Sequence, residues 1–383
     1  MISPAAVTAA APGERAHPAD LEGTARRIEG WLLDSGAQLA AGPHRGGVAG
    51  RLDATGRPEF VYLEITGYYL TAMAWLAGGG AGSEERAATA LARGREALEW
   101  MRAVTAGGAV PATRIHLSPG ADDWRNRAVF SFDLAMAARG VACFAAADPG
   151  AATTMLLGDL GDRIREISPG AVPLASHRAL GGGGASVPDR WSTRPTPHHL
   201  KAAAALARLR EGVLGPALTD SSLGTIDHWA AAMQASWPCE ELHTLLYGVE
   251  GLVIMASGGN EDLLDVVEPL YRRILRLQRI DGTLPALAGA WSGGVRADVL
   301  AQALRIGEIL RTSGRLQEDP WAARLEGLAA ALLRHVRPDG GVLFSLDQEV
   351  TNTWCAMFAH QALLLHAWPG DRALANRAAD LLV

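Results

Sequence analysis

"TLLYGVEGLVIMA", residues 244–256, is apolar on every face of a helix, with Glu250 its one charged residue. "NEDLLDVVEPLYRRILRLQR", residues 260–279, follows almost directly and has apolar residues at helical spacing against a charged face. The first suits a helix buried on all sides and the second a helix with one face in water, so the pair reads as an inner helix with its outer cover. The same contrast recurs along the chain. "VFSFDLAMAARGVACFAAA" (129–147) and segments 60–77 and 352–368 belong to the buried type. "EERAATALARGREALEWMRAV" (84–104) and "DPWAARLEGLAAALLRHV" (319–336) belong to the amphipathic type.

Helices are expected near 19–39, 60–77, 84–104, 129–147, 151–166, 198–213, 222–235, 242–257, 260–279, 296–312, 319–336, 352–368 and 371–382, and alternating strand-like runs are nearly absent. Buried-type helices start near 60, 129, 198, 242, 296 and 352, each followed by a more polar one. Six inner and six outer helices predict an all-α fold, an (α/α)6 toroid, in one domain over 19–383 with residues 1–18 as a loose tail. The spacing between inner helices is too uneven for a strict solenoid repeat. The longer intervals hold Gly-, Pro- and Ser-rich loops at 105–128 and 167–197, of a length that is usually functional or disordered.

Composition narrows the function. Of 383 residues 49% are hydrophobic, enough for a large core, and the net charge of −6 comes from interspersed charges with no basic run, which argues against nucleic-acid or membrane-surface partners. No apolar run reaches the roughly 18 residues of a membrane span. Cys143, Cys239 and Cys355 form neither a CxxC pair nor a disulfide framework, as expected in a reducing, cytoplasmic compartment. The expected partner is a small-molecule or oligosaccharide substrate.

In a toroid the inner helices run parallel, so their N-terminal ends converge on one funnel, and the sequence loads that end with polar and aromatic residues. Trp124, Trp191, Trp237 and Trp291 precede inner helices and Trp354 lies in the first turn of the last. Tryptophans around a polar cavity suit sugar rings, whose C–H faces stack on indole. Trp31, Trp75, Trp100 and Trp321 fit ordinary core filling. Asp298 and Asn352 fit helix caps, although their phase with the other polar clusters also fits a funnel lining.

"CEELHTLLYGVEGL" (239–252) puts His243 and Tyr247 one turn apart, a usable acid and base. Glu64 and Tyr68, in "EFVYLEITGYYLTA" (59–72), form a similar pair on the opposite wall, and the buried Asp133 needs a partner such as Arg125 or Arg127. "DRWSTRPTPHHLK" (189–201) offers Arg190 and Arg194 for a carboxylate or phosphate, with His198 and His199 at the helix start and His199 a further acid/base candidate. Arg296 also faces the expected funnel. The arginines could equally pair with nearby acids. Cys239, His243, Cys355 and His360 have no metal-site spacing, no nucleotide-binding motif occurs in a credible context, and no cofactor is expected.

"YLEITGYYLTAM", "FSFDLAMAARGV", "HHLKAAAALARL", "ELHTLLYGVEGL" and "NTWCAMFAHQALLLH" resemble the successive inner-helix signatures of bacterial α/α-toroid proteins encoded with polysaccharide-biosynthesis genes, over most of residues 55–368. More distantly the chain is similar to six-hairpin enzymes: N-acylglucosamine 2-epimerases, unsaturated glucuronyl hydrolases and uronate lyases. The resemblance implies a toroid and sugar chemistry through His, Tyr, Glu or Asp in the funnel. It departs at Leu242-His243-Thr244, where the usual motif is Thr-His-Thr. The expected function is a carbohydrate-active enzyme, an epimerase or lyase through His243 with Tyr247 or His199, or a glycoside hydrolase through Glu64 and Asp133.

Other readings are a terpene- or prenyl-cyclase-like toroid, from the Asp-Gly turns in "QRIDGTLPA" and "RPDGGVLFS", a lanthionine-cyclase-like zinc enzyme, and a non-catalytic glycan-binding protein. Glu64→Gln is expected to leave stability nearly unchanged while removing activity or binding.

Overall fold

The structure, a computed structural model, describes residues 17–106, 112–121, 123–150, 153–180, 187–209, 214–289 and 294–383. Residues 1–16 of the expected tail lie outside it, and the first helix already begins at Pro18, capped by His17. The described residues form thirteen α-helices: α1 (Pro18–Asp34), α2 (Leu63–Trp75), α3 (Glu84–Thr105), α4 (Ser131–Ala147), α5 (Thr154–Ile167), α6 (His198–Ala207), α7 (Pro216–Ala235), α8 (Leu242–Ser257), α9 (Leu263–Leu275), α10 (Ala297–Thr312), α11 (Asp319–Leu333), α12 (Thr353–Ala367) and α13 (Arg372–Asp380).

The helices α2, α4, α6, α8, α10 and α12 are buried along nearly their whole length and pack in that order into a closed ring, α12 returning to α2. This is the (α/α)6 toroid. Outside it, α3, α5, α7, α9 and α11 each cover the inner helix that precedes them. The sixth outer position differs from the expectation. It is filled by α1, which packs along α12, while α13 lies across α8 and α10. Short α13 is held at its C-terminal end: Arg208, just past α6, pairs with Asp380 at 2.6 Å, and Arg139 of α4 donates to the Asp380 carbonyl at 2.6 Å. It therefore plugs the end of the ring where the inner helices finish.

Close packing of the inner ring rests on small residues at the crossings. A Cβ on Gly67 would sit 2.6 Å from the Met136 carbonyl oxygen and one on Gly140 2.1 Å from that of Gly67, so α2 and α4 touch backbone to backbone. Gly67 is the glycine of the Glu-x-Thr-Gly-Tyr stretch.

Short strands that the periodicity did not reveal sit at the opposite end. β1 (Ala49–Leu52), β2 (Pro58–Tyr62), β3 (Arg114–His116) and β6 (Thr351–Asn352) make an antiparallel sheet ordered β3-β2-β1-β6, and β4 (Ala128–Phe130) pairs with β5 (His177–Ala179). Strands β2, β4 and β6 run straight into α2, α4 and α12, which fixes how these three inner helices begin. Register sets Tyr62 opposite Arg114.

The ring axis holds a fully buried charge cluster. Lys201 Nζ of α6 donates to Glu250 Oε2 of α8 at 2.9 Å, and Arg305 Nε of α10 donates to Glu250 Oε1 at 2.9 Å. Arg305 also donates to Gln361 Oε1 of α12 at 3.0 Å, and Lys201 and Arg305 both donate to the Val383 carbonyl, at 2.8 and 2.7 Å. Burial opposes the charge on Glu250, but Arg305 and Lys201 outweigh it and hold the carboxyl below its usual range. Burial brings Lys201 down to about 7 against the pull of Glu250.

Two stability predictions follow from these buried charges. Glu250→Gln leaves two buried cations around a neutral amide and is expected to cost about 3 kcal/mol in urea unfolding at pH 7, part of the full penalty being relieved by loss of the Lys201 proton; a change below about 0.5 kcal/mol contradicts the assignment. His366 of α12 meets Glu308 at 2.6 Å and Glu326 at 3.2 Å. Burial works against its charge, yet these bonds hold its pKa at about 9. Its stabilisation is thus complete below about pH 6.5, the unfolded value, and lost as pH rises through about 9. In His366→Gln, unfolding midpoints measured between these pH values should show a flatter decline than in the wild type.

Candidate functional site

The first turns of the inner helices surround one cavity of about 570 Å³, within the range of small-ligand sites. Its two walls differ in chemistry.

One wall is built on α2 and α4. Glu64 and Asp133 each lie in the first turn of their helix, where the backbone N–H groups favour a carboxylate. Tyr62, the last residue of β2, donates from its hydroxyl to Asp133 Oδ2 at 3.2 Å and also lies beside Glu64. Burial raises both acids. Glu64 reaches about 7, with Tyr62, Arg114 and Lys201 limiting the rise, and Asp133 stands well above its usual value because the Glu64 charge adds to burial. Near neutrality the two acids therefore hold at least part of one proton. Arg114 stacks over Phe60 at 4.4 Å and Tyr62 at 5.3 Å, and Arg125 stacks over Trp124 at 4.5 Å.

The other wall is built on α8 and α10. His243 Nδ1 lies 2.7 Å from Gln302 Oε1 and 3.6 Å from Asp298 Oδ2. An amide oxygen can only accept, so Nδ1 carries the proton and Nε2 is the basic nitrogen of the neutral ring. Burial lowers the His243 pKa to about 4, against the pull of Asp298. Asp298 accepts from Arg296 Nε at 3.0 Å and Nη2 at 2.5 Å, from Trp354 Nε1 at 3.3 Å and from the Val299 amide at 2.9 Å. Burial opposes its charge, but Arg296 and His243 hold its pKa at about 2. A fixed anion thus stands behind a neutral imidazole. The Tyr247 ring lies 4.2 Å from that of His243, centroid to centroid.

Aromatic side chains line the space between the walls. Trp191 presents an edge to His198 at 5.2 Å and to His243 at 5.8 Å, and Phe132 contacts His198 and Tyr247 at 5.2 and 5.1 Å. Thr196 Oγ1 lies 2.5 Å from His198 Nδ1, and burial, reinforced by His199 and His243, keeps His198 well below its usual pKa.

The cavity brings together Glu64, Asp133, His243 and Tyr247. His198, Arg190 and Arg296 also line it, as do Trp124, Trp191, Asn352 and Trp354. Asn352 caps α12 as well, accepting from the Cys355 amide at 3.0 Å.

The remaining sequence candidates lie elsewhere. Tyr68 is one turn deeper, edge-on to Phe358 at 5.6 Å, while Ile65 takes a place in the lining. His199 turns its Nδ1 to the Thr196 backbone. Arg194 pairs with Asp189 at the surface. Arg127 is outside the lining, its carbonyl accepting from the Leu180 amide. Trp237 lies beneath Arg273 of α9 at 4.3 Å, and Trp291 falls outside the described residues.

Cys239 Sγ donates to the Glu241 carbonyl and His360 accepts from Trp75 Nε1; among the described residues no three His, Cys, Asp or Glu side chains gather as metal ligands. Asp281 and Asp339 of the Asp-Gly turns accept from the Thr283 and Gly341 amides at 3.0 Å, which makes them turn formers.

Tyr62, Arg114 and Gln302 complete the site, the first two without having stood out in the sequence. Strand register delivers the first two and helix packing the third. Asp298 fitted either a helix cap or the funnel lining; its actual partners are Arg296, Trp354 and His243.

No protein-family model and no curated relative matches the chain. Solved structures do. Cellobiose 2-epimerase from Spirochaeta thermophila is similar at 15% identity and a TM-score of 0.65, covering 93% of this chain and 98% of that one. D-mannose isomerase gives 10%, 0.63, 93% and 99%, and unsaturated glucuronyl hydrolase from Bacillus sp. GL1 gives 13%, 0.58, 93% and 96% in the same order. Identities this low establish a shared fold, in keeping with the six-hairpin resemblance read from the motifs.

The Glu64 carboxyl gives a test of the cavity electrostatics. Its folded pKa is raised from 4.5 to about 7, so its contribution to stability is intact below about pH 4.5 and lost as pH rises through 7. Glu64→Gln, expected from the sequence to leave stability nearly unchanged, should instead match the wild type only below about pH 4.5 and exceed it by about 2–3 kcal/mol near pH 8. Equal unfolding free energies at both pH values would rule out a proton-holding Glu64.

Proposed function

We propose that this chain is a carbohydrate-active enzyme of the epimerase or isomerase type that moves a proton at a sugar carbon, its activity residing in residues 19–383 as one domain. The observation that carries this reading is the pairing of groups on the two walls of one cavity. His243, held by Gln302 at 2.7 Å and backed by Asp298 at 3.6 Å, lines it with the buried Glu64 and Asp133 at the Tyr62 hydroxyl, and burial favours a neutral imidazole and a carboxyl pair that retains a proton.

In this mechanism Trp124 and Trp191 hold the sugar in open-chain form by stacking and leave the carbon beside its carbonyl facing His243. Nε2 of His243 takes the proton from that carbon, and the electron pair of the broken C–H bond passes to the carbonyl oxygen. Asp298 stabilises the imidazolium that forms. Glu64, in exchange with Asp133 through the neighbourhood of Tyr62, supplies the proton or hydrogen bond that the developing oxyanion needs. Transfer of the carboxyl pair's proton from the opposite wall to the other face of the same carbon, as the oxyanion re-forms the carbonyl, gives the epimer. It leaves the abstracted proton on His243, which loses it to solvent as the pair regains one. Return of the proton from His243 to the neighbouring carbon, with the pair carrying the hydroxyl proton of the first carbon to the oxyanion, gives the isomer. Tyr247, packed under His243, keeps the ring in place.

The names of two structural neighbours, cellobiose 2-epimerase and D-mannose isomerase, support this class. Glycoside hydrolysis by two flanking carboxylates is less well supported, because Glu64 and Asp133 both lie at one phenol, on the same wall. The Asp-Gly turns and the dispersed cysteines leave the cyclase readings without a site.

A panel of reducing sugars incubated in D2O tests the proposal by NMR. Deuterium should enter at the carbon beside the carbonyl, at a rate that drops at least 100-fold in His243→Gln. The rate should rise with pH through about 4, as His243 becomes a base, and fall through about 7, as Glu64 loses its proton. New reducing ends without carbon-bound deuterium would instead favour hydrolysis.

A further inference from the structure

The charges around the cavity do not balance. Of its five lining arginines, Arg51 pairs with Glu59 at 2.7 Å and Arg296 is engaged by Asp298. Arg114 and Arg125 share a single carboxylate, Asp123, at 3.3 and 3.2 Å. Arg190, exposed beside Trp191 at the lip, has no acidic partner among the described residues. Among the described residues, three guanidinium groups are thus paired with one carboxylate, Asp123. The N-terminal ends of the inner helices add further positive potential at the same opening. The carboxyl pair, by retaining a proton, offsets less of this charge than two full anions would.

The cations are also held in place. Arg114 is stacked on Phe60 and Tyr62, and Arg125 on Trp124, so their planes are ordered before a ligand arrives and less freedom is lost on binding. At about 30 Å³ per water the cavity of about 570 Å³ has the volume of about nineteen waters, ample for a sugar with a further substituent.

We propose that the substrate is an acidic sugar, whose carboxylate or phosphate is taken by Arg114, Arg125 and Arg190 while its open carbon chain lies against Trp124 and Trp191. This rests on the carbohydrate reading and narrows it, since two of the neighbours are named for the uncharged sugars cellobiose and mannose and one for an acidic glucuronyl group. Arginine suits either anion through paired N–H donors. Arg190, on the loop before α6, is the discriminating residue, because among the described residues it has no anion to satisfy.

Calorimetric titration with glucose, glucuronate, glucose 6-phosphate and orthophosphate tests the proposal on the wild type, Arg190→Gln and Arg125→Gln. The expected result is that glucuronate or glucose 6-phosphate binds at least about tenfold more tightly than glucose, with the better of the two identifying the anion. That advantage should shrink in either variant and in about 0.5 M salt. Arg190 is exposed, so its variant is expected to fold. Glucose binding as tightly as both acidic sugars overturns the proposal and leaves the carbohydrate reading standing. So does an advantage that survives in both variants. Orthophosphate binding as tightly as glucose 6-phosphate reduces the site to a general anion site and overturns it too. Failure of every sugar to bind sinks both readings.

Discussion

The Glu250 carboxylate at the ring axis is the constraint on which the geometry of the cavity depends. Its two cations come from α6 and α10, and through Arg305 it is tied to Gln361 of α12 and to the segment after α13. Glu250 is seven residues after His243 on α8, and Arg305 is seven after Asp298 on α10, about two helical turns in each case. The contact that sets the register of α8 against α10 at the axis therefore also sets His243 against Asp298 and Gln302 at the mouth. Lys201 Nζ, 4.8 and 4.6 Å from the Tyr68 and Tyr247 ring centroids, carries the same constraint up to the cavity floor. Buried ions are costly, and the fold meets that cost by giving each of them several partners.

Above this anchored floor the cavity is electrostatically divided. On one side an ionised Asp298 is satisfied by Arg296, Trp354 and a backbone amide, leaving His243 neutral; on the other, two acids compete within reach of Tyr62. A merely structural core would not retain such a carboxyl pair, because burying both acids opposes folding once they ionise. The arrangement is intelligible where a proton must be stored on one wall and accepted on the other. Perturbed groups of opposite tendency, converging on one space with aromatic walls, are the mark of a site for acid/base chemistry.

Much of the fold could be read in advance because inner helices of a toroid are apolar all round and outer ones are not, a local property that segments such as 244–256 and 260–279 display in full. Ring closure is different. Nothing local in "DRALANRAADLLV" distinguishes an outer helix from a plug, and the choice of α1 as the partner of α12 is made by long-range packing. The strands escaped notice because they are only two to five residues long and mix charges with apolar residues, as in Arg114–His116.

The site divides in the same way. Glu64, Asp133, His243 and Tyr247 stood out as polar residues at the starts of buried helices, which is a sequence property. Tyr62 and Arg114 become neighbours only through the antiparallel register of β2 and β3, and Gln302 finds His243 only once α8 and α10 are packed. Conversely, His199 adjoins the lining residue His198 but turns aside, since successive helical positions point about 100° apart, and Tyr68, one turn on from Glu64, lies too deep to reach the lining. The order in which the cavity groups take up protons is the most direct measure of the account. An NMR titration with labelled histidine imidazole and carboxyl carbons should find Glu64 binding its proton near pH 7 while His243 remains neutral until about pH 4, the reverse of the order in free side chains. His243 titrating near 6.5 with Glu64 ionised above pH 5 would contradict it.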